Sequence, residues 1–212
     1  MQIKIFTFNP YQENTYVLFD DTGSAIIIDP GMLGGHEQNQ VVAFIKQAGL
    51  KLERSILTHA HIDHVLGNKF VFDQWGLKPE LHKGELMVLQ AVASYAPQMG
   101  IPYELSPEPE HFLKEGEIIS FGNTKLEVIL APGHSPAHLC FYEPLENILI
   151  GGDVLFYQSI GRTDLPGGNH HTLLKSIREK LFILPDDCVV YPGHGQATRI
   201  GFEKLHNPFL QA

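Results

Sequence analysis

The chain has 212 residues, 43% hydrophobic and 18% charged, which leaves room for a large apolar core and excludes a disordered composition. A net charge of -9 with histidine neutral argues against nucleic acid or an anionic membrane as the main partner, since both reward Lys and Arg. The opening MQIKIFTFNPYQENTY lacks the basic and apolar regions of a signal peptide, and no apolar run reaches the ~20 residues of a membrane helix, so a cytoplasmic protein is expected.

In chain order, KIFTF, TYVLFD and SAIIIDPG read as strands, the third stopped by Pro30 and Gly31. Residues 37–48 carry Val41, Phe44, Ile45 and Ala48 at helical spacing, with Gly49 as the stop. RSILT (54–58) is a short strand, and the stretch VLGNKFVFDQW beyond it reads as one helix ending before Gly76. KPELH is a strand, 84–96 a helix ended by Pro97, and 97–110 a Pro- and Glu-rich exposed loop. EIISF, TKLEVILA, HLCFYEP and NILIGGD are then strands, GRTDLPGGNHH a loop, 172–184 an amphipathic helix, DCVVYPG a strand and IGFEKLHN a last helix. Cys140 and Cys188 lie in apolar strand-like stretches and read as buried free thiols rather than a zinc framework. Too many adjacent strands lack a helix between them for a doubly wound parallel sheet. A single α/β (α+β) domain over 1–212, a sandwich of two sheets with helices outside them, satisfies the layer rules.

Histidine is the outlier, at 12 residues, and its positions are patterned. His59-Ala60-His61-Ile62-Asp63-His64 places four potential ligands within six residues directly after a strand. Imidazole and carboxylate together suit zinc, iron or manganese. His134 in APGHSPAH, Asp153 in IGGDV and His194 in YPGHG each follow a further strand, so every ligand group lies on a Gly- and Pro-rich loop past a strand end. Any one of these histidines alone reads as a surface or core residue, and a lone Asp after a strand as a turn former. As a set of seven they exceed one tetrahedral zinc and match two ions sharing a carboxylate. Two divalent ions, zinc foremost with iron or manganese as alternatives, are the expected cofactors.

THAHIDH, PGHS, GGD and PGHG, spread over the whole chain, resemble the metallo-β-lactamase superfamily, and GRTDLPGG and HNPFL are similar to its glyoxalase II-like bacterial hydrolases. The resemblance implies the fold, a four-layer αββα sandwich of two mixed sheets flanked by helices. It implies one metal on His59, His61 and His134, a second on Asp63, His64 and His194, and a bridge through Asp153. Asp63 and Asp153 then serve as the catalytic carboxylates, lowering the site's positive charge and orienting a metal-bound hydroxide that cleaves a small thioester such as an S-acylglutathione. Persulfide dioxygenases with a single iron share GRTD and overlapping ligands, and lactonases use the same site, so these stand as alternatives. Classical glyoxalase II enzymes carry a further C-terminal helical segment for glutathione, which this chain is not expected to have. Asp153 in place of Cys argues against a β-lactamase of the commonest zinc subclass. Around the ligands, Asp29 is either an orienting partner for an imidazole or a turn former, and Thr58 either a partner of His59 or a strand end. Arg162 is either a carboxylate-gripping substrate residue or the mate of Asp164. His138 reads as loop structure beside the site, His170 and His171 as capping or flanking a helix start, and His36, His82, His111 and His206 as surface.

Overall fold

The computed structural model describes residues 1–211. The chain clusters into two compact units, one of Met1–Phe112 with Ser120–Thr124, the other of Leu113–Ile119 with the chain from Lys125 onward. The elements in chain order are β1 (Gln2–Phe8), β2 (Glu13–Phe19), β3 (Ser24–Ile28), α1 (Gly35–Gln47), β4 (Lys51–Ile56), α2 (Ile62–Val65), α3 (Asn68–Trp75), β5 (Pro79–His82), α4 (Leu86–Tyr95) and β6 (Phe112–Leu113). They continue with β7 (Ile118–Phe121), β8 (Thr124–Leu130), β9 (Leu139–Glu143), β10 (Ile148–Gly152), β11 (Leu155–Phe156), β12 (Ser159–Ile160), α5 (His170–Ser176), β13 (Val189–Pro192), β14 (Thr198–Arg199) and α6 (Ile200–His206).

Two six-stranded sheets result, ordered β1-β2-β3-β4-β5-β6 and β14-β13-β10-β9-β8-β7, with β11 and β12 as a separate hairpin. Both are mixed, as the family resemblance implies. In the first, β2 is antiparallel to β1 and β3, whereas β3, β4 and β5 run parallel. In the second, β10 is antiparallel to β9 and parallel to β13. Each parallel pair needs a crossover, and α1 between β3 and β4, α2 and α3 between β4 and β5, and α5 between β10 and β13 supply it. Helices α1 and α5 bury their apolar stripes on the sheets they cross. Val41 and Ile45 of α1 join Val17, Ala25 and Ile27 in one core, and Leu173 of α5 joins Cys140, Leu149 and Val190 in another. Leu89 and Val92 of α4 pack against Leu57, Ala60, Ile62 and Val65, which gives the His-rich turn an apolar floor. Cys140 and Cys188 are buried free thiols. Burial pushes the Cys188 thiol up to about 12.

Several elements differ from the sequence reading, among them the two-residue strands β6 and β14, which it does not contain. The single helix expected after the His-rich turn is two, broken at Gly67, whose N–H donates to Pro30 O at 2.7 Å and where a Cβ would meet that oxygen at 2.7 Å. The helix of 172–184 starts earlier, at His170, capped by Asn169 Oδ1 accepting from Thr172 N at 2.8 Å, and finishes as a π turn over Ile177–Leu181. The β11–β12 hairpin lies in a stretch where the sequence shows no strand pattern, because two-residue strands are too short for one. Among the described residues no helix is long and apolar enough to cross a membrane.

Candidate metal centre

In the first unit the parallel register of β3 and β4 places Ile28 beside Ile56, so the residues just past both strands become neighbours. These are Asp29 and Thr58. Asp29 is 1% exposed and has φ 51°, a left-handed conformation costing a non-glycine residue about 1–3 kcal/mol that persists only where surroundings enforce it. Its Oδ1 accepts from Thr58 N at 2.7 Å and its Oδ2 from the Thr58 hydroxyl at 2.6 Å. The same Oδ2 lies 3.0 Å from His64 Nδ1, and Thr58 Oγ1 lies 3.0 Å from His59 Nδ1. With Thr58 donating to Asp29, its oxygen accepts from His59. Both imidazoles therefore carry the proton on Nδ1 and present Nε2 as the ligand nitrogen.

The rings of His59 and His61 lie 4.7 Å apart and those of His59 and His64 4.1 Å. Asp29, His59 and His64 bring donor atoms within 4.8 Å of one another, but the carboxylate is already spent on orientation. His64 Nε2 faces Asp63 Oδ2 at 3.6 Å. The turn is fastened from three sides: Ala60 N donates to buried Glu85 at 3.1 Å, Asn9 Nδ2 donates to Asp63 O at 2.9 Å, and Ile62 N–H donates to the Tyr95 hydroxyl. Burial and then the Asp63 charge push Tyr95 up to about 12, so it stays a neutral phenol. Glu13, fully buried and 4.0 Å from His64 Nδ1, has a carboxyl raised well above its usual range by burial, which outweighs the pull of His64.

In the second unit the same device recurs. The parallel register of β10 and β13 sets Gly152 beside Pro192, and Asp153 and His194 follow those strand ends. The turn carrying His134 is pinned to α5. Asn169 N donates to Gly133 O at 2.7 Å, Ser176 Oγ donates to Pro132 O at 2.7 Å, and a Cβ at Gly133 would come within 2.2 Å of Leu173 N. His134 Nδ1 donates to Arg162 O at 2.8 Å, again leaving Nε2 as the ligand nitrogen. His134 Nε2 and His194 Nε2 lie 3.4 and 3.5 Å from one oxygen, Asp153 Oδ2.

Those separations test the fit of a metal. Charge-assisted hydrogen bonds are shorter, about 2.7–2.9 Å. Two ligands each 2.0–2.2 Å from one tetrahedral ion stand roughly 3.3–3.6 Å apart, so the imidazoles flank Asp153 as co-ligands would. Donor chemistry and spacing both suit divalent ions.

Of the outer residues expected from sequence, Asp29 and Thr58 stand against the imidazoles of His64 and His59. The Arg162 guanidinium pairs with both oxygens of Asp164 at 2.7 Å and is 60% exposed; its backbone carbonyl is what meets the ligand His134. That pairing also holds the Asp164 carboxyl down, at about 2. Glu85 escaped the sequence reading, and His138, expected as loop structure beside the site, has a more definite role. His138, fully buried, accepts the Asp153 N–H on Nε2 at 3.0 Å, a role that its place in PGHSPAH signals. Glu85 opens an apolar helix and nothing in its local sequence signals that it holds Ala60.

The fold and the imidazole–carboxylate donors define a metal-dependent hydrolase scaffold. The family model of the metallo-beta-lactamase superfamily matches residues 8–194, and the chain belongs to that superfamily. It is 36% identical to "Hydroxyacylglutathione hydrolase GloC" of Haemophilus influenzae, covering 100% of this chain and 99% of that one. Among solved structures it is similar to the BLEG-1 B3 metallo-beta-lactamase, with a TM-score of 0.90 at 37% identity over 100% of both chains. It is also similar to TTHA1623 in a di-iron-bound form, with a TM-score of 0.87 at 36% identity over 98% of this chain and 100% of that one.

Proposed function

We infer that the protein hydrolyses a small thioester, an S-acylglutathione foremost, with two divalent ions held by His59, His61, Asp63, His64, His134, Asp153 and His194. His59, His61 and His134 would hold one ion and Asp63, His64 and His194 the other, with Asp153 shared between the two groups. The observation that carries the two-ion reading is Asp153 Oδ2 with an imidazole Nε2 on either side at 3.4 and 3.5 Å. The di-iron form of TTHA1623 supports two ions on a related scaffold, and the name of the Haemophilus relative supports the substrate class.

The ions supply Lewis acidity and a hydroxide available at neutral pH. The chain supplies the rest. Asp29 fixes the proton of His64 on Nδ1 directly and that of His59 through Thr58; the Arg162 carbonyl does so for His134. Each imidazole thus arrives in the tautomer that ligates. Asp63 and Asp153 lower the positive charge of the site and orient the nucleophile. Tyr95 and Tyr11, both pushed up by burial and the Asp63 charge, remain neutral hydroxyls at working pH.

The test is hydrolysis of S-D-lactoylglutathione by purified protein with metals quantified in the same sample. Turnover with close to two metals per chain is expected. The BLEG-1 likeness favours a second reading, β-lactam hydrolysis, so nitrocefin is assayed in parallel. Nitrocefin turnover without thioester turnover would replace the thioester reading. A single iron with oxygen uptake on glutathione persulfide would replace hydrolysis itself.

A further inference from the structure

The second unit contains a carboxylate the hydrolytic reading does not use. Glu203 of α6 is fully buried and accepts from three neutral donors, the Gln158 backbone N–H, the Thr198 hydroxyl and the Asn207 side-chain amide. The Gln158 amide N–H reaches both its oxygens, at 3.2 and 3.0 Å. The Thr198 hydroxyl donates at 2.5 Å and Asn207 Nδ2 at 2.7 Å. Asn207, also fully buried, gives a second Nδ2 bond to Ser159 O at 3.0 Å. Phe202, from the same helix, stacks on Tyr157 with ring centroids 5.2 Å apart at 10°.

Phe202 and Glu203 of α6 grip the turn of the β11–β12 hairpin, and Asn207, just past the helix, holds Ser159 at the start of β12. That turn is Tyr157-Gln158, and Gln158 has φ 53°, a left-handed position that glycine takes at no steric cost and glutamine does not. A buried carboxylate aimed at the Gln158 amide holds the turn in that conformation.

The hairpin in turn meets the metal donors at both ends. Phe156 sets its ring edge to face against His194, centroids 6.3 Å apart at 80°. On the other side β12 runs into Gly161, whose N–H donates to Val154 O at 3.3 Å. The backbone there passes so close to Asp153 that a Cβ at Gly161 would lie 1.9 Å from Asp153 O and 3.1 Å from His134 Nδ1. The next residue gives the carbonyl that accepts from His134 Nδ1 at 2.8 Å.

We propose that Glu203 and Asn207 are positioning residues for the metal site, setting the rings of His194 and His134 through the β11–β12 hairpin. The proposal rests on His134, Asp153 and His194 being ligands, and not on any substrate. Outer groups that orient ligand imidazoles commonly change metal affinity on the order of 10–100-fold when removed. Glu203 acts one step further out, so an effect at the lower end is expected.

The test uses full-length protein stripped of metal and reconstituted with Co(II), read by its visible ligand-field absorption and by the rate of cobalt release to excess EDTA. Far-UV circular dichroism and the melting profile of the apo forms serve as the fold control. Glu203→Gln sets an amide N–H against the Gln158 N–H. It is expected to shift the cobalt bands and release the ion about tenfold faster. Adding Gln158→Gly, which adopts the turn without help, is expected to restore much of both. A purely structural role for Glu203 predicts no such rescue, so its absence overturns the proposal. A folded Glu203→Gln protein with wild-type bands and release rate also overturns it. Should Glu203→Gln fail to fold, Phe156→Leu, which leaves α6 untouched, decides: shifted bands support the route through the hairpin and unmoved bands overturn it. Wild-type protein that binds no cobalt overturns the ligand assignment and this proposal together, whereas cobalt binding without thioester turnover overturns only the substrate reading.

Discussion

The two ligand-bearing regions solve one problem by different means. In the first, four donors lie within six residues, His59 to His64, and side chains orient them: Asp29 directly on His64 and through Thr58 on His59. In the second, three donors are spread from His134 to His194, and a backbone carbonyl, that of Arg162, orients His134, while the His138 side chain accepts from the Asp153 N–H. Shared between them is the use of two parallel strands ending in register, Ile28 beside Ile56 and Gly152 beside Pro192. The lesson is that an orienting side chain can be removed by one substitution, whereas an orienting carbonyl is lost only when its loop moves.

The largest effect is expected where the second region has no substitute. Asp153→Ala removes the carboxylate between two imidazoles and should lower hydrolysis on the order of a thousandfold, about 4 kcal/mol of barrier. Metal content of the variant, measured beside kcat, should fall below two per chain. Retention of both ions with wild-type kcat would break the bridging assignment.

Next comes the side-chain device of the first region. Asp29→Asn turns an N–H donor toward either Thr58 or His64 and works against the Nδ1–H tautomer. Metal affinity by competition with a chelator should drop about 10–100-fold, while Thr58 left without an acceptor costs about 1–3 kcal/mol in denaturant unfolding. An unchanged affinity would show that the ligands are held by their turn alone.

Gly161→Ala probes the backbone device. Its Cβ would collide with Asp153 O, so the loop carrying the Arg162 carbonyl must shift. A loss of about 1–3 kcal/mol in stability is expected from the overpacking, accompanied by faster metal release. A destabilised variant with unchanged metal release would separate the loop from the site.

The smallest effect sharpens the comparison most. Arg162→Ala deletes an exposed guanidinium paired with Asp164 but leaves the carbonyl, so stability should change by roughly 0–1 kcal/mol and metal affinity not at all. A rise in KM at constant kcat would place the guanidinium on the substrate; a loss of metal would contradict the backbone account.

The candidate ligands stood out in the sequence because side chains that can hold metal are few in type and tightly spaced here. HAHIDH, PGHS, GGD and PGHG fall after apolar strand patterns, and the structure sets each of them past β4, β8, β10 and β13. The strand and helix order was legible from periodicity over the longer elements, while the mixed character of both sheets came with the family resemblance. The break at Gly67 was not, because it depends on the close passage of Pro30, 37 residues earlier in the chain. Arg162 shows the limit most plainly. Its side chain drew the reading toward substrate, while the structure gives its carbonyl the contact with a ligand, and no side-chain pattern encodes a carbonyl.

The sequence by itself determined which atoms are available to hold metal and which strands lead to them, since both follow from residue type and local periodicity. Only the tertiary structure decided which nitrogen of each imidazole is presented, that Asp29 serves two histidines while Asp153 stands between two others, and that Glu203 reaches across 45 residues to hold the Gln158 turn. Those are hydrogen bonds between residues distant in the chain, fixed by strand register and loop packing, and sequence neighbours carry no record of them.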